Sequence, residues 1–176
     1  KVEWMYSLKE KLTETELFFT EKTAVKNIYT TPAIADINND KKNEIIFGTD
    51  TGNIYALNSM GKLLWSYKAP GTIRSSPLVA DINNDDKLEI VFGSNDKNLY
   101  ALNSKGKLIW KFKARSAIEA KPSLLKNKKN PQIIFGSNDG TIYSLNQNGK
   151  PLWQFKARSK ITAAGSIGKI YNDKND

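Results

Sequence analysis

The chain has 176 residues, a formal net charge of +9 at neutral pH, and neither cysteine nor histidine. Disulfides, thiol or imidazole nucleophiles and zinc sites of the usual ligand set are therefore excluded. No stretch approaches the roughly 20 apolar residues that a membrane-spanning helix needs, so no membrane span is expected.

The charge is unevenly distributed along the chain. Residues 1–103 contain 12 Lys and Arg against 14 Asp and Glu, whereas residues 104–176 contain 15 against 4. The basic half could attract nucleic acid, an anionic membrane surface or an acidic protein. However, its lysines mostly alternate with apolar residues, as outward residues of half-buried strands do; Lys111 and Lys113 flank Phe112. Because no nucleic-acid motif accompanies the charge, no nucleic-acid partner is expected, and a polyanion-binding surface remains an alternative.

The sequence contains an internal repeat. Residues 53–65, 98–110 and 141–153 read NIYALNSMGKLLW, NLYALNSKGKLIW and TIYSLNQNGKPLW. A period in the low forties with several short strands per unit predicts an all-β fold of propeller blades, each with four antiparallel strands. The landmarks that recur at spacings of 45 and then 43 to 45 are Pro32, Pro77 and Pro122, Gly48, Gly93 and Gly136, and Trp65, Trp110 and Trp153.

The predicted units follow one another along the whole chain. A partial blade spans residues 1–24, since residues 2–8 resemble the third strand of a unit and residues 17–21 fall where a fourth belongs. The first full blade spans 28–70, with strands at 32–38, 44–48, 53–57 and 63–69 and Asn-, Asp- or Gly-containing turns between them. Further full blades span 73–115 and 118–158, and a last partial blade spans 161–176.

These three full and two partial blades predict an arc of a larger propeller. A closed ring would require the last strand to pair with residues 2–21, as a three-stranded fourth blade. An arc cut from a longer propeller of six to eight blades is the preferred interpretation. Because an arc leaves blade faces uncovered, self-association through those faces is expected.

The third and fourth strands of each unit resemble the repeat of quinoprotein-type (PQQ-like) propellers, on the pattern GSNDGTIYSLNQNGKPLWQF at residues 136–155. The resemblance implies that Trp65, Trp110 and Trp153 dock each blade against the next. It does not carry over the quinone cofactor, because binding a quinone requires a complete ring with dedicated polar groups. Many PQQ-like propellers serve as protein-binding scaffolds.

The loop between the first two strands has a second resemblance, to the FG-GAP repeat of integrin α-subunit propellers, whose D-x-D-x-D-G-x-x-D loop holds calcium. Calcium prefers six to eight hard oxygen ligands. The glycine expected at position 6 is Lys41 or Asp86, so these residues must adopt positive φ at some strain. The implied Ca²⁺ ligands, with the lysines contributing backbone carbonyls, are Asp36, Asn38, Asp40, Lys42 and Glu44, and Asp81, Asn83, Asp85, Lys87 and Glu89.

The alternative interpretation is that these Asp and Asn residues only form Asx turns. The third unit argues against it, because Lys126 and Gln132 replace the first and last acids and the loop is two residues shorter. The last partial unit has Lys169 and Tyr171 at the first two ligand positions. Calcium is therefore predicted only for the first two loops, where it would stabilise the fold.

No catalytic constellation emerges from the sequence. The carboxylates of Asp36, Asp40 and Glu44 could form a hydrolytic pair, but their spacing recurs in two units, as a copied structural element would.

The predicted function is a non-catalytic binding or scaffold module for a protein or polysaccharide; a segment of a quinoprotein-like enzyme is an alternative. An extracytoplasmic location, whether periplasmic, secreted or cell-surface, is expected because millimolar calcium would fill even weak loops. The start at Lys1 fits a mature, processed or truncated product.

Overall fold

The computed structural model describes residues 27–127, 129–163 and 165. These residues form three four-stranded antiparallel sheets and no helix, and the order of strands in each sheet follows the chain. The all-β fold of four-stranded antiparallel blades is confirmed. The partial blade predicted at 1–24, and nearly all of the one predicted at 161–176, lie outside the described residues.

The twelve strands fall into three blades with the same plan. Blade 1 contains β1 (Ala33–Ala35), β2 (Glu44–Gly48), β3 (Asn53–Leu57) and β4 (Leu63–Lys68); blade 2 contains β5 (Leu78–Ala80), β6 (Glu89–Gly93), β7 (Asn98–Leu102) and β8 (Leu108–Lys113); blade 3 contains β9 (Ser123–Leu125), β10 (Gln132–Gly136), β11 (Thr141–Asn146) and β12 (Pro151–Lys156).

The first strand of each blade is shorter than the sequence predicts. In blade 1 the ladder pairs Ala33 with Ile46 and ends where Ala35 pairs with Glu44. Beyond this point the backbone N–H of Ile37 donates to the Glu44 side chain at 3.0 Å instead of to a strand. The chain leaves the sheet early because side chains of the following loop take over its backbone hydrogen bonds.

Each blade packs against the next through the predicted tryptophan. Trp65 Nε1 donates to the backbone oxygen of Ser104 in blade 2 at 2.9 Å, and Trp110 Nε1 donates to that of Gln147 in blade 3 at 2.8 Å. Each indole also covers a turn glycine, Gly106 or Gly149, so closely that an added Cβ would lie 2.7 Å from ring atoms. The docking role of Trp65 and Trp110 is therefore confirmed.

A second aromatic contact lies deeper between the blades. The ring of Tyr67 packs on Phe92 and Tyr100 of blade 2, with centroids 6.4 and 5.8 Å away, and Phe92 and Tyr100 stack on each other. Phe112 packs on blade 3 in the same way. We call the face of a blade that meets the following blade its trailing face, and the opposite one its leading face.

Trp153 departs from this pattern. Its side chain is 45% exposed, and its Nε1 donates to Gln132 Oε1 within its own blade at 3.2 Å. Among the described residues no blade follows blade 3, so the docking role predicted for Trp153 is not observed there.

Candidate functional site

The candidate site consists of two acidic loops, residues 36–44 and 81–89, which connect the first two strands of blades 1 and 2. Strands β1 and β5 lie beside each other, so the loops emerge from neighbouring blades at the same end. Because the blades share one plan, the equivalent residues of the two loops can be compared directly.

The first residue of each loop organises its backbone. Asp36 accepts hydrogen bonds from the backbone N–H groups of Asp40 and Lys41, at 3.1 and 2.7 Å. Asp81 accepts the equivalent bonds from Asp85 and Asp86, at 3.2 and 3.0 Å. A carboxylate that accepts several backbone bonds closes a tight loop by itself. This geometry supports a turn-forming role for the first aspartate in addition to any ligand role.

Both loops contain residues with positive φ at positions 4 and 6. Lys41 and Asp86, at the position where the FG-GAP pattern has glycine, adopt φ of 66° and 62°, as the sequence predicts. Asn39 and Asn84, at position 4, adopt φ of 62° and 61°, which the sequence analysis missed. The available signal was the residue type, since asparagine tolerates the left-handed region better than most residues.

The second loop brings three carboxylates together. One oxygen from each of Asp81, Asp85 and Glu89 lies within 4.8 Å of the other two, and in the described part of the chain this is the one group of three or more potential metal-ligating side chains with such spacing. Glu89 is only 3% exposed. Lys87 Nζ lies 3.8 Å from Asp85 Oδ2 and partly balances the charge.

The donor set of the second loop fits a calcium ion. Carboxylate, amide and backbone carbonyl oxygens are the ligands that calcium prefers. The amide oxygen of Asn83 accepts from the backbone N–H of Asp85 at 3.0 Å, as that of Asn38 accepts from Asp40 in the first loop at 2.9 Å. Lys87, the predicted carbonyl donor, gives its backbone N–H to Asp85 Oδ1 at 2.9 Å. The residues that would hold the ion are Asp81, Asn83, Asp85, Lys87 and Glu89.

The first loop fits a cation less well. Asn38 Nδ2 donates to Asp40 Oδ2 and to Glu44 Oε1, both at 3.3 Å, so an amide nitrogen lies between the two carboxylates. Lys42 donates its backbone N–H to Asp40 Oδ1 at 2.8 Å, as its counterpart does in the second loop. Ion binding here would require the Asn38 amide to turn its oxygen toward the carboxylates, because an N–H group cannot be a ligand.

Burial and like charge shift the acid–base behaviour of the last residue in each loop. Burial raises the pKa of Glu89 to about 7, partly opposed by the hydrogen bond from the Ile82 backbone and reinforced by Asp85 and Asp81. The pKa of Glu44 is also raised, first by burial and then by Asp40 and Asp36. A cation between these carboxylates would relieve the repulsion.

Without metal, the stability of the chain should fall as pH rises between about 4.5 and 7. Glu89 has a pKa of about 7 in the folded chain against an ordinary value of 4.5 for a glutamate. In this window the folded state holds a proton that the unfolded state has lost, so raising the pH favours unfolding, by at most ~1.4 kcal/mol per pH unit. Urea denaturation in chelator at both ends of the window measures the effect.

Glu89→Gln is the control for this pH dependence, because glutamine keeps the shape of the side chain and removes its titration. The variant should lose most of the decline in this window. Equal slopes for the two proteins would show that Glu89 is not the responsible group.

The equivalent position in blade 3 has another role. Gln132 replaces the glutamate, and its Oε1 accepts from Ser144 Oγ at 2.9 Å and from Trp153 Nε1 at 3.2 Å. This network connects the middle of the blade to its outer strand. The sequence identified the substitution as the loss of a ligand, but nothing in it pointed to the contact with Trp153.

The architecture defines the chain as part of a β-propeller built from PQQ-like repeats. A family model described as outer membrane protein assembly factor BamB matches residues 33–163. The chain belongs to this PQQ-like family. No match was found among curated proteins.

Solved structures support the fold. BamB from Moraxella catarrhalis aligns with a TM-score of 0.58 and 20% identity over 73% of this chain and 38% of its own. The computationally designed Ika4 protein aligns with a TM-score of 0.58 and 20% identity over 80% and 82%. BBS1N, solved in complex with ARL6DN, aligns with a TM-score of 0.57 and 14% identity over 76% and 41%. The chain thus spans well under half the length of BamB and BBS1N.

Within the described residues, no helix is long and apolar enough to cross a membrane.

Proposed function

We propose that this chain is a non-catalytic binding module, an arc of propeller blades whose second acidic loop holds a structural calcium ion. The observation that carries the proposal is the convergence of Asp81, Asp85 and Glu89 within 4.8 Å. Bringing three carboxylates together is unfavourable unless protons or a cation neutralise them. Calcium does so while tying the loop to the second strand of its blade.

The ion's role is to stiffen a surface, since the chain's own residues suggest no chemistry for it to perform. The same residue pattern occurs in the loops of blades 1 and 2, as expected for an element copied with its blade. Stiffening the second loop at this end of the arc would prepare part of a rigid rim for a partner, because ordering costs less when the loop is fixed beforehand.

The partner is proposed to be a protein or a polysaccharide outside the cytoplasm. The description of the family model as an outer membrane protein assembly factor supports both a protein partner and this location. The complex of BBS1N, which has a similar fold, with ARL6DN supports a protein partner. Calcium at extracellular concentrations would fill a loop with millimolar affinity.

Calcium should raise the melting temperature of the chain, and a chelator should lower it. Binding to the folded state alone stabilises it by about 2.7 kcal/mol when free calcium is 100 times the dissociation constant. Differential scanning calorimetry with and without calcium measures the shift. Magnesium serves as a control, because it dehydrates reluctantly and prefers a smaller octahedral site.

Asp85→Ala should abolish this response while leaving the strand signal in circular dichroism intact. Asp40→Ala, the equivalent change in the first loop, is the matched control and should leave most of the response in place. A melting temperature indifferent to calcium in the unmodified chain would refute the metal proposal.

A further inference from the structure

The end of blade 2 opposite its acidic loop carries a group of basic side chains. Lys97 lies in the turn between β6 and β7, and Lys113 and Arg115 lie where β8 passes into the segment that leads to blade 3. The backbone brings them close together: Asn98 pairs with Lys113, and the N–H of Ala114 donates to the backbone oxygen of Lys97 at 2.8 Å. All three basic residues are exposed. We call these three residues the basic corner.

The acidic residues beside the basic corner are engaged elsewhere. Asp96 is half-buried, and its carboxylate accepts from the Tyr100 hydroxyl at 2.5 Å. Glu119 Oε1 lies 3.8 Å from Arg74 Nη1, on the segment between blades 1 and 2. In the part of the chain that the structure describes, no carboxylate forms an ion pair with the basic corner. Because like charges that lie close together repel, the basic corner favours an anion.

The other two blades show that the fold does not require three basic residues here. The equivalent residues are Gly52, Lys68 and Pro70 in blade 1, and Gly140, Lys156 and Arg158 in blade 3. In those blades the shared lysine is held by its own turn, where its Nζ donates to the backbone oxygen of Thr51 or Asp139. Lys113 forms no ion pair with any described residue. Blade 2 therefore carries more positive charge at this end than its architecture uses.

The backbone of Lys97 supports a role for its charge outside the fold. Lys97 adopts φ of 75°, whereas the glycines at the equivalent turn position, Gly52 and Gly140, have φ of 82° and 78°. Glycine takes this conformation without strain, and a residue with a side chain does not. Since no ion pair with a described residue offsets the strain, a lysine at this position is better explained by binding than by folding.

We propose that the basic corner binds the acidic groups of a polysaccharide, at the end of the arc opposite the acidic loops. The proposal rests on the binding role proposed above and names the chemistry of its ligand. A polymer is favoured over a single ion because exposed basic residues continue on both sides of the basic corner, with Lys111 on β8 and Lys121 on the segment that leads to blade 3.

The surroundings of the basic corner favour a sugar polymer over other polyanions. Single-stranded nucleic acid binds on exposed aromatic rings, but Phe112, beside Lys113, lies on the trailing face and packs on Phe135 and Tyr143 of blade 3. A protein partner usually contributes apolar anchors at the centre of its interface, and the basic corner contains no apolar residue. Sugar hydroxyls could instead share hydrogen bonds with Ser116, the half-buried neighbour of Arg115.

Isothermal titration calorimetry of the 176-residue chain with polygalacturonate, an acidic polysaccharide, tests the proposal. Binding should occur at low salt and weaken steeply between about 50 and 200 mM salt, because it releases counterions. Polyglutamate with the same number of carboxylates should bind more weakly, since it lacks the sugar hydroxyls, and uncharged dextran should not bind. Chelator should leave binding of polygalacturonate unchanged, because the acidic loops lie at the other end of the blades.

The combined variant Lys97→Gly, Lys113→Gln and Arg115→Gln should weaken binding by about tenfold or more and reduce its dependence on salt. The matched control removes three exposed lysines from the turns between the third and fourth strands, as Lys62→Gln, Lys105→Gln and Lys150→Gln. These turns lie about 20 Å away, a strand length that exceeds the screening length of about 10 Å, so binding should change less than about threefold. Thermal melting verifies that both variants fold.

Three results would overturn the proposal. Absence of binding to polygalacturonate at low salt, with the calcium response of the chain intact, would refute the polysaccharide ligand and leave the calcium proposal in place. Equal weakening by the two combined variants would show that binding depends only on net charge. Tighter binding of polyglutamate or of duplex DNA would assign the basic corner to another class of polyanion.

Discussion

Replacing Trp110 with alanine should lower the free energy of unfolding by about 3 to 5 kcal/mol, the range measured for large-to-small substitutions of buried aromatic residues. The indole fills the junction between blades 2 and 3, covers Gly149 and donates to Gln147. Its removal leaves a cavity at this junction and a carbonyl without its partner. Urea denaturation followed by circular dichroism measures the loss.

Trp153→Ala provides the internal control for this prediction. Trp153 occupies the same place in its blade but is 45% exposed and contacts its own blade. Its removal should cost less than about 1 kcal/mol, in the range of surface substitutions outside special sites. If the two variants lost equal stability, the cost of removing the indole would not come from docking between blades.

Gly93→Ala should also be strongly destabilising, by about 1 to 3 kcal/mol, although it adds only a methyl group. A Cβ at this position would lie 2.2 Å from Ile118 Cγ2 and 2.6 Å from the Ile118 backbone oxygen. Side chain and backbone would both have to move, in a region where Ile118 is fully buried. Thermal and chemical denaturation quantify the effect.

Gly165→Ala is the matched control, because nothing lies within 4 Å of its added Cβ. The variant should unfold like the unmodified chain. A Gly93→Ala protein of unchanged stability would show that the second strand of the blade can shift away from the isoleucine, which the tight packing argues against.

The same close packing of a glycine against an isoleucine occurs in all three blades. A Cβ added at Gly48 would lie 2.3 Å from Ile73 Cγ2, and one added at Gly136 would lie 2.2 Å from Ile161 Cγ2. In the sequence, this contact is visible only as a glycine and an isoleucine that recur at the same spacing in each unit. The structure explains the recurrence, because it packs the glycine of one blade against the isoleucine that begins the next segment of chain.

Strands with a strong residue pattern were predicted accurately from the sequence. The second and third strands of blade 1, at residues 44–48 and 53–57, have the predicted bounds, because apolar β-formers bounded by glycine turns leave little freedom. The first strand was predicted as seven residues and has three, since Glu44 and Asp36 take hydrogen bonds from the backbone that follows it. Such competition between side chain and strand depends on contacts that alternation does not reveal.

The two acidic loops illustrate the limit of inference from residue type. Their sequences offer oxygen donors at the same offsets, yet the second gathers its carboxylates whereas the first inserts the amide nitrogen of Asn38 between Asp40 and Glu44. Asparagine can present either oxygen or nitrogen, so composition alone cannot distinguish the two arrangements. The positive φ at position 6 could be predicted because the FG-GAP pattern has glycine at that position.

The linear succession of blades has a consequence for how the molecule opens. Blade 2 has neighbours on both sides, and its Phe92 and Leu99 are completely inaccessible, whereas Phe155 at the outer strand of blade 3 lies largely in water. In such a one-dimensional stack, each layer is held only by those beside it. Among the three described blades, amide exchange should therefore be slowest at the centre of blade 2.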